Sequence, residues 1–322
     1  MNIQNNKFVV SHAPHIKSSD CTKNIMFDVL IALMPALIAG VIVLGYRAAF
    51  VALVCVASSV FFEWLWQKIF KKSCTIMDFS AAVTGLLIAL NLPVTMPFWM
   101  AIIGCFFAII IVKQFFGGIG NNFINPALTA RAFLLTSFAK PMTTWIKPFD
   151  KIYMFDNADV ISSATPLTMV KEGPFDNLPS YLDLFLGNIG GCIGEISTVA
   201  ILIGAAYLFA KKVIDWKIPI TYIFTVFVLS YTCGRDGLYQ ILSGGLMLGA
   251  FFMATDYVTT PYTRLGQIIF GFGCGFLTFV IRNWGGYPEG VSYSILIMNL
   301  LTPLIDRYTV PKSFGEKGEA KI

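Results

Sequence analysis

Charge is scarce in this sequence. Asp, Glu, Lys and Arg make up 13% of its 322 residues, about half the share of a soluble domain, against 56% hydrophobic residues. So small a polar supply cannot cover a water-facing surface, and lipid is the expected outer solvent. Histidine is scarcer still: the chain has 2, His12 and His15, both in the polar segment before the first apolar run at Ile25. The 7 cysteines show no CxxC spacing, and most fall inside apolar runs, where a thiol behaves as a small hydrophobe. Clustered metal or iron–sulfur ligation is therefore not expected. No apolar stretch adjoins Met1, so no secretory signal is read and the first helix is expected to stay as an anchor. No glycine fingerprint follows a strand, which argues against a nicotinamide site on this chain. The net charge of +5 is unevenly placed, and its placement speaks to orientation in a membrane, with no nucleic-acid partner implied.

Long apolar runs are abundant instead. A membrane-crossing helix needs about 20 mostly apolar residues. Ten segments come near that length: Ile25–Gly45, Ala48–Trp66, Ile76–Leu92, Val94–Val112, Ile124–Ala139, Ile189–Ala210, Ile218–Thr232, Leu238–Thr255, Leu265–Ile281 and Gly290–Ile305. The expected class is an all-α polytopic membrane protein of about ten transmembrane helices. Basic residues favour the cytoplasmic side of short loops. With the amino terminus inside, inner connections hold Lys68, Lys71, Lys72, Lys113, Lys211, Lys212, Lys217 and Arg264, against Arg47, Arg235 and Arg282 outside. Both termini are thus expected inside. The organisation read is a tail at 1–24, a first helical half at 25–139, an external loop at 140–188, a second half at 189–306 and a tail at 307–322.

The external loop is the one sizeable polar segment. Leu178, Tyr181, Leu182 and Phe185 recur there at helical spacing, matching a short interfacial helix or a loop packed on the membrane surface. The halves echo one another. Val94-Thr95-Met96-Pro97, an apolar helix and Phe116-Gly117-Gly118 have counterparts in Val258-Thr259-Thr260-Pro261, an apolar helix and Trp284-Gly285-Gly286. Such internal repeats are common where ligands bind near the bundle middle.

Three groups of residues invite chemistry. Charges inside a bilayer are costly and need a partner or cavity, which singles out Arg131, Glu195, Asp256 and Glu289. Snorkelling from helix ends would also account for Glu195 and Asp256. Gly117 to Ala127 is a glycine-rich turn in which the Asn122 and Asn125 amides offer donors and acceptors to a ring, with Pro126 placed for a helix start. An ordinary turn with an Asn cap explains the same residues. Asp159-Val160-Ile161-Ser162-Ser163-Ala164-Thr165-Pro166 is rich in hydroxyls, and the proline holds Thr165 extended with its hydroxyl presented. No histidine lies near to make Thr165 a hydrolytic nucleophile.

Asp159-x-x-Ser162-Ser163-Ala164-Thr165 resembles the motif that flavin transferases modify, in which the final threonine receives FMN through a phosphoester. Ser163 stands where glycine is frequent, and it is small enough for modification to be expected still. Essentially the whole chain is similar to the flavin-bearing membrane subunits of Rnf electron-transport complexes and of sodium-pumping NADH:quinone reductases. Lys23 to Met26, Gly117 to Ala127, Gly194-Glu195, Met253 to Asp256 and Gly286 to Gly290 carry the likeness. The resemblance implies covalent FMN on Thr165 at the outer side, flanked by Asp159, Ser162, Ser163 and Ala164. It implies a second, non-covalent flavin, riboflavin, for which the inner-facing residues Asn122, Asn125, Asp256 and Thr259 are the expected site. It also implies a bacterial inner-membrane, multi-pass location, Rnf partner subunits A, B, C, E and G, a flavin transferase for maturation, and sodium or protons moved as ferredoxin and NAD exchange electrons. Glu195, Asp256 and Glu289 are candidate ion-coupling carboxylates on this reading. A channel, suggested by Asn125-Pro126-Ala127 and the buried charges, is the competing class, and a cofactor-free structural subunit is a third.

Overall fold

The structure, a computed structural model, describes residues 21–149, 164–172, 178–286 and 289–311. The protein is all-α, with no strand among the described residues. Two long helices open it, α1 (Thr22–Leu44) and α2 (Tyr46–Ile69), joined at Gly45. Then follow α3 (Ser80–Leu90), α4 (Phe98–Phe106) running on as a π-helical stretch to Gln114, α5 (Pro126–Ser137) and the single turn α6 (Ala139–Met142). Beyond them come α7 (Pro166–Glu172), α8 (Tyr181–Leu186), α9 (Thr198–Ala210) and α10 (Lys217–Thr232). The chain ends with α11 (Gly237–Leu242), α12 (Leu246–Leu248) with a π-helical continuation to Met253, α13 (Arg264–Trp284) and α14 (Val291–Thr309).

Among the described residues, α1, α2 and α13 are long and apolar enough to cross a bilayer unaided. Their apolar residues face outward as well as inward: Ile42 and Leu53 are 63% exposed and Phe272 56%, as a lipid-facing surface requires. The seventh and tenth runs also coincide with helices, α10 and α14, but the remaining runs do not. The third expected span breaks at Phe79, whose φ of 61° separates a 3-10 turn from α3. The fourth starts only at Phe98, because Val94 to Pro97 form a turn. The fifth is the 12-residue α5, and the sixth begins at Thr198. The eighth is split between α11 and α12. Non-helical backbone at this depth survives only where protein supplies its hydrogen bonds. Here Ile193 N–H donates to the Leu92 carbonyl at 3.1 Å and Gly194 N–H to that of Leu90 at 2.8 Å, so the loop before α9 satisfies the end of α3.

Without a hydrophobic drive between helices in lipid, close packing falls to small residues. α1 packs on α9 at Gly204, where a Cβ would lie 2.0 Å from the Ala32 carbonyl oxygen. Helices α10 and α13 meet likewise at Gly271, where a Cβ would lie 2.0 Å from Thr221 Oγ1. In the loop region α8 exposes Tyr181, Leu182 and Leu186 and buries Leu184, so the expected short helix is present.

Candidate functional site

The sequence-selected residues gather around two cavities, one at the start of α5 and one reached from the middle of that helix through Arg131. The first is lined by Val29, Leu87 and Phe252 among apolar residues and by Ser80, Thr84, Lys113, Asn122, Asn125 and Asp256 among polar ones. Asn125 is the N-cap of α5. Its Oδ1 accepts from Ala127 N–H at 3.0 Å and Leu128 N–H at 3.3 Å, with Pro126 at the first helical position. Its Nδ2 donates across the bundle to the Met253 carbonyl at 3.3 Å. The capping reading of this asparagine is thus realised, and it places the same amide at the cavity. Asn122 is buried and donates to the Ile124 carbonyl. Asp256 accepts from Thr259 Oγ1 at 3.4 Å. Thr259 is absent from the cavity wall: it stands behind Asp256, with its carbonyl taken by Thr302 Oγ1 at 2.9 Å.

Lys113 departs from its expected place. It is buried, with Nζ 3.1 Å from both Glu63 oxygens and 2.7 Å from Ser80 Oγ, while Gln114 Nε2 donates to Glu63 Oε1 at 2.8 Å. It therefore leaves the tally of inner-loop cations, and seven of the eight remain. An apolar run ending in Lys-Gln looks like a helix end meeting water; the partner, 50 residues away in sequence, becomes visible only in the fold.

The second cavity is small and is lined by Thr165, Leu167, Gly190, Gly191, Glu195, Gly244 and Glu289, among others. Thr165 is 5% exposed, so its hydroxyl is not presented outward as expected. It lies 3.1 Å from Thr168 Oγ1 and accepts from Thr168 N–H at 3.3 Å, because the proline that keeps Thr165 out of the helix also makes it the cap of α7. Ala164 beside it is exposed, and Asp159, Ser162 and Ser163 lie outside the described residues.

Behind this cavity Arg131 finds its partners. Nη1 is 3.0 Å from Glu195 and 2.7 Å from Asn91 Oδ1; Nη2 meets Glu289 and, at 3.5 Å, Cys192 Sγ. Glu195 is 4% exposed, which rules out snorkelling as its explanation. Cys192, Glu195 and Glu289 bring three ligand-type atoms within 4.8 Å of one another, but the guanidinium already supplies the cation they face. Sequence reasoning does not single out Asn91 or Cys192. An asparagine just before Leu92-Pro93 hints at a helix end, yet nothing in sequence ties it to Arg131. Asn91 also donates to Met253 Sδ at 3.7 Å, so Asn125, Met253, Asn91 and Arg131 form a linked series. Asn125 and Arg131 lie six residues apart on α5, about 9 Å of helix rise.

Residues 9–315 match the NQR2, RnfD, RnfE family. The chain belongs to this family. It is 50% identical to the D component of the Na(+)-translocating ferredoxin:NAD(+) oxidoreductase complex of Acetobacterium woodii, over 97% of this chain and 98% of that one. It is 42% identical to the D component of the proton-translocating ferredoxin:NAD(+) oxidoreductase complex of Clostridium ljungdahlii, over 98% of each. To the D component of the ion-translocating oxidoreductase complex of Stutzerimonas stutzeri it is 38% identical, over 92% of this chain and 93% of that one. Family membership and the all-α membrane fold agree with the likeness read from Met253 to Asp256 and Gly286 to Gly290.

Proposed function

We propose that the chain is the RnfD component of an ion-translocating ferredoxin:NAD oxidoreductase complex, serving as a flavin-carrying electron relay within the bacterial inner membrane. The carrying observation is the pair of separate cavities, one beside Thr165 and one at the start of α5 beside Asn122, Asn125 and Asp256. FMN is assigned to Thr165 through a phosphoester made by a flavin transferase, and riboflavin to the inner cavity. The inner residues suit a flavin: apolar walls match a dimethylbenzene ring, and amide, hydroxyl and carboxylate groups match a pyrimidine edge that both donates and accepts. At Thr165, Gly190, Gly191 and Gly244 leave room where side chains would stand.

A flavin supplies one- and two-electron transfer, and the protein sets its place and electrostatics. Asn125 orients one edge of the inner cavity from a capped helix end. Arg131 holds Glu195 and Glu289 in fixed positions beside Thr165. A single outer carrier cannot span about 30 Å of hydrocarbon, so a second carrier partway across is what a relay requires. Subunits A, B, C, E and G would complete the path to ferredoxin and NAD, and sodium ions or protons would be the translocated species. The relatives favour both ions by name, one sodium and one proton. The excess of basic residues in the inner short loops supports both termini in the cytoplasm. The echo between Val94 to Pro97 and Val258 to Pro261 supports two related halves.

Fluorescence of the chain on a denaturing gel, with mass spectrometry of the Thr165 peptide from the native host, tests the covalent part. A dark band and an unmodified peptide would end that reading and make a pore the better one.

A further inference from the structure

A buried lysine faces the same inner cavity, and its surroundings are more elaborate than packing needs. Ion pairs buried in a protein contribute little net stability, since apolar replacements of similar volume are often neutral or better. Yet Lys113 and Glu63, 3% and 1% exposed, are tied by further bonds to Ser80 and Gln114. Ser80 is itself anchored by Asp78, which accepts from its hydroxyl at 2.7 Å and its N–H at 2.9 Å.

The backbone that delivers Lys113 is unusual as well. Phe107 to Gln114 is π-helical, and the other π-helical stretch among the described residues, Gly249 to Met253, borders the same cavity through Phe252. Such distortions concentrate at functional sites. This one lets Val112, Lys113 and Gln114 be buried in succession, which a lipid-facing α-helix would not do.

Resting on the flavin reading of this cavity, we propose that Lys113, held by Glu63 and Ser80, is the positioning residue that places a fixed positive charge beside the flavin ring and so favours its reduced, more negative form. Asn122, Asn125 and Asp256 supply no positive charge, so among these polar residues of the wall Lys113 alone can do this. When the ring takes up an electron pair and one proton, one negative charge is left on it, and a nearby ammonium in a low-dielectric site stabilises that product over the oxidised form.

The test uses the purified complex: acid extraction of one portion gives its riboflavin content, and spectroelectrochemical titration of another reads the midpoint potential of the bound flavin. Absence of extractable riboflavin from the unaltered complex would defeat the flavin reading itself, separately from the role of Lys113. With riboflavin present, Lys113→Met should lower the midpoint potential by at least the equivalent of a tenfold change in reduced-over-oxidised binding, about 30 mV for a two-electron couple. Lys113→Arg should restore most of it. An unchanged potential in a riboflavin-loaded Lys113→Met complex overturns the proposal and leaves Lys113 as a partner for Glu63. Should Lys113→Met fail to assemble, Lys113→Gln, which keeps a donor for Glu63 and Ser80 without the charge, is read by the same potential criterion.

Discussion

Arg131 and Glu195 form a 3.0 Å ion pair between a helix and a loop that hydropathy does not distinguish from a helix. Glu289 shares the same guanidinium from the segment before α14. Three separated parts of the chain are thereby fastened at one point, and removing the arginine strands two carboxylates. Arg131→Met is expected to destabilise the protein by about 3–5 kcal/mol. Arg131→Lys should recover little, because one ammonium cannot replace a planar fork. Thermal unfolding of detergent-purified protein reads both, and a wild-type melting temperature for Arg131→Met would refute the role.

Thr165→Val should abolish in-gel flavin fluorescence while acid-extractable riboflavin stays near one per complex. The two cavities share no lining residue, so one flavin is expected to survive loss of the other. Parallel loss of both would show that the sites are not independent.

Asn125 caps α5 and reaches Met253, and the two jobs can be separated. Asn125→Asp keeps an acceptor for Ala127 and Leu128 N–H but lacks the donor to Met253, whereas Asn125→Ala loses both. The alanine variant should cost about 0.5–2 kcal/mol from the cap alone. Both variants should carry less riboflavin. Stability measured alongside flavin content checks this, and undiminished riboflavin in both would remove Asn125 from the site.

Gly204→Ala sets a methyl against the Ala32 carbonyl and should weaken the α1–α9 contact by about 1–3 kcal/mol. The methyl would also lie 3.0 Å from the Phe252 ring, which lines the inner cavity, whereas no residue of the Thr165 cavity is in this contact. A lower melting temperature with unchanged covalent flavin per folded protein is the expected result.

In the loop region, hydrogen bonds from the Ser180 side chain first, and then from Asn188, hold the Asp183 carboxyl below the usual aspartate range. Depression of a carboxylate contributes stability above its unfolded value near 3.9, lost as pH falls through the folded value. Protection of the α8 amides relative to their intrinsic exchange rates should therefore fall in acid. Asp183→Asn should remove that acid dependence, since no carboxylate is left to titrate.

Much of the bundle was legible because lipid imposes a simple rule: a long apolar run must be protein or lipid core. Thr22–Leu44 and Tyr46–Ile69 follow the expected spans within a few residues. The rule fails where protein replaces lipid as the neighbour. Residues 189–197 are apolar and buried but not helical, and hydropathy has no means of separating that from a span. Thr165 was found through its motif, while its burial depended on Thr168 and the cavity behind it.

By itself the sequence determined solvent, class and candidate chemistry: its composition demands a membrane, and its motifs point to a threonine and a pair of asparagines. Only tertiary structure decided who meets whom. Arg131 with Glu195, and Lys113 with Glu63, lie 64 and 50 residues apart. A buried charge must find its counterpart wherever the fold brings one within about 3 Å, and that distance is a property of packed helices with no trace in local residue order.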